Sequence, residues 1–75
     1  MKEVFTVMII HERIRQLRQE QHLSQAAFAD KIAYSAHSVM AWENGINPPG
    51  AIALFNIANA FNVSLDWLFG RTDER

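Results

Sequence analysis

Apolar residues fall along this chain in short blocks at helical spacing, and each block is closed by a residue suited to a turn. Ile10, Ile14 and Leu17 put an apolar stripe on an otherwise charged segment, which predicts a first helix from His11 to Gln21. Ser24 is placed to cap a second helix carrying Phe28, Ala29 and Ile32. Ser35 is placed to cap a third, with Val39, Trp42 and Glu43 on one face and Asn44-Gly45 as its stop. Helix is excluded from Ile46 to Gly50, because Pro48 and Pro49 each disfavour the helical conformation of the residue before them. Ala51 to Phe61 is apolar nearly all round and reads as a fourth helix closed by Asn62. Ser64 caps a fifth, Leu65 to Phe69, which is expected to turn Leu65 and Leu68 inward and to stop at Gly70. The pattern predicts an all-α, compact five-helix domain.

The ends of the chain read differently. Val4 to Ile10 is a short apolar run rich in β-branched residues, compatible with a strand or with a lead-in to helix one. The extended reading is preferred, and since no other strand candidate exists, its partner would be a second chain. A start at Met8 is a further alternative. The expected organisation is a leader at 1–10, a folded domain at 11–70 and a polar tail at 71–75. A chain of 75 residues lies near the lower limit of what one core supports. With no cysteine, stability must come from packing, caps and self-association, and a cytoplasmic location is expected. The apolar run at 4–10 is too short to span a bilayer, so no membrane association is expected.

Catalytic and metal chemistry find little footing. His11, His22 and His37 lie in separate segments without ligand spacing, so no metal site is expected. Ser24, Ser35 and Ser64 are accounted for as caps rather than nucleophiles. The absence of a glycine-rich phosphate loop argues against nucleotide binding. The expectation is a protein that is not an enzyme, with no cofactor and no small-molecule ligand.

Helices two and three, short and joined by a tight turn with the second one capped, follow a helix-turn-helix plan. The residues that fill it are Leu23-Ser24-Gln25, Phe28-Ala29, Lys31-Ile32, Ser35, Val39, Trp42-Glu43-Asn44-Gly45, Pro49, Ile57-Ala58, Ala60-Phe61, Val63-Ser64-Leu65-Asp66-Trp67-Leu68 and Gly70. In these the chain resembles the phage-repressor and Cro-like helix-turn-helix family, also called the xenobiotic-response-element family, with its lambda-repressor-like DNA-binding domain. The resemblance runs from about Ile10 to Gly70. It implies a partner in double-stranded DNA, with contacts from Ser24, Gln25, Lys31, Ser35, Ala36, His37, Ser38, Met40, Ala41 and Asn44. It also implies an ion pair between Arg18 and Glu43, each one turn beyond a core residue of its own helix. Gln25, first after the Ser24 cap, is expected to point outward beside free N–H groups and to hold one phosphate.

Charge and side-chain chemistry then limit that picture. Seven Lys and Arg against eight Asp and Glu leave a net charge of −1, although cationic neutralisation of phosphates normally supplies most non-specific affinity. The outward face of helix three lacks Arg, Lys, Asn and Gln, and its His37 and serines predict modest base discrimination. The loop after Gly45 has no positive charge, which leaves Gln25, Lys31, Asn44, Arg18, Arg13 and Arg15 as candidate backbone anchors. His22, Ala33 and Asn62 stand where relatives usually keep glycine. Of these Ala33 is the worst suited to positive φ, so its turn either carries about 1 kcal/mol of strain or relaxes. Ile46, Ile52, Phe55, Trp67 and Phe69 exceed what so small a core holds, and Ile52, Phe55, Trp67 and Phe69 are the dimer candidates. The expected function is a homodimeric transcriptional regulator, a repressor, on an inverted-repeat operator. The competing reading is a protein-interaction module of the same fold, antitoxin-like or bound to a larger regulator.

Overall fold

The computed structural model describes the backbone of residues 2–75 and the side chains of residues 9–75. Five helices follow one another: α1 (Lys2–Glu20), α2 (Gln25–Ile32), α3 (Ala36–Glu43), α4 (Ala51–Phe61) and α5 (Leu65–Leu68). There is no strand among the described residues. The extended conformation preferred for residues 4–10 is therefore corrected, since this run forms the first turns of α1. β-branched residues favour strands through packing on a sheet face, and no sheet is available here. Once the turns from His11 onward exist, each further helical residue costs only propagation. The strand pairing with a second chain expected for this run falls with it, because a helix spends within itself the main-chain groups that such pairing needs. At the near end of that leader Ile9 fills the space over Gly70, where an added Cβ would lie 2.6 Å from Ile9 Cγ2.

All five helices end in the same way. A residue at positive φ follows each one: His22 (55°), Ala33 (63°), Gly45 (71°), Asn62 (55°) and Gly70 (75°). The next N–H in each case reaches back to a carbonyl five residues earlier: Leu23 to Arg18, Tyr34 to Ala29, Ile46 to Ala41, Val63 to Ala58 and Arg71 to Asp66. This closure satisfies carbonyls that the helix leaves unpaired, and it requires the left-handed conformation. The chain keeps the geometry even where it lacks glycine, so the turn at Ala33 holds its strain and does not relax. The serine caps answer at the other ends. Ser24, Ser35 and Ser64 Oγ accept from the N–H of Ala27, Ser38 and Trp67.

Between these stops the buried faces converge on one core, with Ile14, Leu17, Phe28, Ile32, Val39, Ile57, Trp67 and Leu68 fully enclosed. Phe28 stacks on Phe61 with ring centroids 4.7 Å apart, and Tyr34 meets Trp42 edge-on at 5.1 Å. Asn56 Nδ2 donates to the Ile32 carbonyl, tying α4 to the end of α2. Ala29 is buried in this core, and α2 packs closely on α3.

Two expectations about α5 are corrected. Trp67, expected as spare apolar surface, is 1% exposed. The guanidiniums of Arg13 and Arg75 lie 4.6 and 4.5 Å from its ring centroid, so contacts from α1 and from the chain's last residue cover it. Leu65, expected inward, is 42% exposed, because a single helical turn has room for one narrow inward stripe and Trp67 and Leu68 occupy it. The polar residues after Gly70 fold back. Ser64 N–H donates to the Arg75 carbonyl, Arg13 pairs with Asp73, and Arg75 Nη2 donates to Glu20 Oε2 at 2.6 Å. Hydrogen bonds from Arg75 and then Gln16 hold the exposed Glu20 carboxyl down at about 2.

Candidate nucleic-acid interface

The N-termini of α2 and α3 each begin with a serine cap, and the two helices pack against one another across the Ala33 turn. On α3 the first turns carry uncharged side chains. Ser35 and His37 are exposed, while Ala36, Ser38 and Met40 are partly exposed. Ser35 Oγ accepts the Ser38 N–H at 3.1 Å and also lies 3.1 Å from Ser38 Oγ, so both hydroxyls are engaged with each other. Ala41, expected on this outward face, is buried at 6% exposure. The chain leaving Gly45 turns back so that the Ile46 and Asn47 N–H groups reach the Ala41 carbonyl.

The last turn of α3 is built quite differently. The Glu43 side chain is 1% exposed and accepts from three partners. Arg18 Nε donates to Oε2 at 2.6 Å and Arg18 Nη2 to Oε1 at 2.9 Å, a bidentate grip that fixes geometry as well as charge. Gln25 Nε2 donates to Oε1 at 3.3 Å, and Arg15 Nε approaches the same oxygen at 3.5 Å. Burial pushes the Glu43 carboxyl upward, but hydrogen bonds from Arg18 and Gln25, the Arg18 charge and the Arg15 contact outweigh it. The group therefore lies below the usual carboxylate range. The hydrogen bond to Glu43 in turn raises Arg18, against the opposing effect of burial.

The expected site residues thus divide. Ser24, Lys31, Ser35, His37 and Asn44 are exposed; Gln25, Ala36, Ser38 and Met40 are half-buried. Gln25 was expected to face outward, yet its amide spends one N–H on Glu43. Lys31 stands away from the α3 face, on a shallow cleft with Asn56 and Asn59. Arg15 was expected only as a phosphate anchor, and its place at the end of α3 was missed. The available signal was periodicity, because His11, Arg15 and Arg18 lie at i, i+4 and i+7 and so share one face of α1. Among the described residues there is no group of His, Cys, Asp and Glu able to hold a metal ion. Nor is any described helix long and apolar enough to cross a membrane.

Residues 14–68 match the family described as helix-turn-helix. The chain is 34% identical over 65 residues to the uncharacterized HTH-type transcriptional regulator YqaE of Bacillus subtilis, spanning 85% of this chain and 56% of that protein. It is 39% identical over 69 residues to the cryptic phage CTXphi transcriptional repressor RstR of Vibrio cholerae, spanning 89% of this chain and 62% of that one. The chain therefore spans somewhat over half the length of these relatives. Among solved structures it is similar to the P22 c2 repressor protein in complex with synthetic operator 9T, with a TM-score of 0.74 and 29% identity. That likeness covers 79% of this chain and 89% of the repressor chain. The chain belongs to the phage-repressor-like helix-turn-helix family.

Proposed function

We propose that this member of the helix-turn-helix family is a DNA-binding transcriptional regulator, a repressor, that recognises an inverted-repeat operator as a homodimer. The observation that carries the reading is the fixed presentation of α3. Its last turn is locked to α1 and α2 through Glu43, while Ser35 and His37 on its first turn are exposed and Met40 is partly so. That is the arrangement a recognition helix needs to enter a major groove. The similarity to a repressor solved on its operator, and to relatives named as regulators, supports the same reading.

The chemistry of the surface sets the character of the binding. Alanine, methionine and serine side chains touch thymine methyls or make single hydrogen bonds, and His37 adds one more. Affinity per domain is weak, and two domains on two half-sites compensate. Ile52 and Phe55, 71% and 59% exposed on one side of α4, are the apolar surface proposed to join the two copies, with half-buried Phe69 beside the core. Selection of duplexes from a random pool, followed by anisotropy titration of the best one, tests the reading. Preference for the selected duplex over random sequence, with affinity falling as salt rises, is expected. Equal affinity for both at low salt would sink the sequence-specific regulator.

The exposed Ile46, Ile52 and Phe55, together with the uncharged α3 face, favour a second reading in which this fold docks a protein partner. Light scattering after gel filtration separates the two. A self-contained homodimer supports the regulator, whereas a monomer that forms a stoichiometric complex with a co-purified protein supports the second.

A further inference from the structure

We propose that Arg15 is a positioning residue that closes the C-terminal end of α3 and turns the Asn44 amide donors outward as a contact for a DNA phosphate. The inference rests on the DNA-binding reading above. The face of α1 formed by His11, Arg15 and Arg18 runs along the last turn of α3 and its exit. The His11 ring abuts Gly45, where a Cβ would lie 2.8 Å from Nδ1. Arg18 already satisfies the Glu43 carboxylate with two short bonds and spends Nη1 on the Leu23 carbonyl. The approach of Arg15 to that carboxylate, at 3.5 Å, is long by comparison. Its short bond goes elsewhere, from Nη2 to the main-chain carbonyl of Glu43 at 2.9 Å.

That carbonyl is the one the closing turn leaves over. The N–H groups of Asn44, Ile46 and Gly45 take the carbonyls of Met40, Ala41 and Trp42 in turn. A cation at this place also opposes the negative end of the helix. The same Nη2 lies 3.4 Å from Asn44 Oδ1. A guanidinium offers donors only, so it fixes which way the amide stands: Oδ1 faces Arg15 and the two N–H groups of Nδ2 face away. Asn44 is exposed and the Arg15 side chain is 46% exposed, so outward-facing amide donors and an accessible cation lie side by side. Such a pair suits the oxygens of a phosphodiester, and it lies at the opposite end of α3 from the open first turns.

Anisotropy with two duplexes tests this, the best one from the random pool and a random-sequence duplex at low salt. Asn44→Ala is expected to weaken binding to both duplexes roughly tenfold, as loss of a charge-assisted contact would, and Arg15→Met by more, since it removes its own cation as well as the orientation of Asn44. Arg15→Met should also lower the salt slope by about one phosphate. The double substitution should cost little more than Arg15→Met alone, since Asn44 loses its orientation with Arg15. Arg15→Lys should keep the salt slope yet fail to restore affinity, because an ammonium lacks the planar fork. In the unbound protein, the Asn44 side-chain amide seen by NMR should be ordered in the wild type and mobile in Arg15→Met. Binding insensitive to both substitutions, strictly additive losses, or an Asn44 amide unchanged by Arg15→Met would each overturn the proposal. Failure of the wild type to bind either duplex would overturn the DNA-binding reading with it.

Discussion

The two ends of α3 are made of different materials. Its first turns present a partly exposed, uncharged outward face held by one serine cap, whereas its last turn is buried, ionic and bound by residues from α1 and α2. The contrast teaches where such a small domain spends its interactions. If this surface enters a DNA groove as proposed, it can read bases only when the helix bearing it cannot shift. Rigidity is therefore concentrated at the end facing the core. A buried carboxylate suits that task less through net stability than through directionality, since it is tolerable in only one arrangement of its donors.

The contrast breaks most completely at Glu43. Glu43→Ala leaves Arg18 facing a void and is expected to cost about 3 kcal/mol in urea unfolding, a large share of the stability of a domain this size. A loss under about 1 kcal/mol would show that the ionic end is ornamental. The pH dependence gives a second measure of the same group. The folded-state value of Glu43 is depressed, so its contribution is present above the ordinary carboxylate range and lost as pH falls through and below it. Glu43→Gln should accordingly flatten the acid limb of the stability curve. An unchanged limb would assign acid sensitivity to other carboxylates, such as the exposed Glu20.

Gly45→Ala comes next. It places a side chain at a φ of 71° and within 2.8 Å of the His11 ring, with an expected loss of about 2 kcal/mol. Adding His11→Ala should return part of that loss, and no recovery would mean that the backbone conformation alone sets it. Ala33→Gly, in the turn that delivers the plain end, should instead raise stability by up to about 1 kcal/mol, because glycine accepts the left-handed conformation freely. A drop in melting temperature would refute the claim that this turn is strained. The smallest effect is expected at His37, exposed on the first turns. There His37→Ala should move stability by less than about 0.5 kcal/mol while weakening binding to the selected duplex. A large loss of stability would erase the distinction between the two ends.

Much of this was legible along the chain. Helix order, the three serine caps, the stops at Gly45, Asn62 and Gly70, and the positions of His22 and Ala33 in place of glycine all follow from bonds closed within five residues. Such bonds depend on the identity of a few neighbours, and identity is what a sequence records. Arg18 and Glu43 were legible as a pair because each stands one turn beyond a core residue and the family resemblance implies an ion pair at these positions.

Tertiary structure decided the rest, wherever the outcome depended on how helices cross. Whether residues 4–10 extend or coil, whether Trp67 is spare or enclosed, and whether Ala41 faces outward depend on surfaces distant in sequence. Gln25 reaches a carboxylate 18 residues away, Arg15 one 28 residues away, and Arg75 lies 55 residues from Glu20. A long polar side chain has several partners within reach. The interaxial geometry that selects among them is a property of the packed core and is written in no single stretch of the chain.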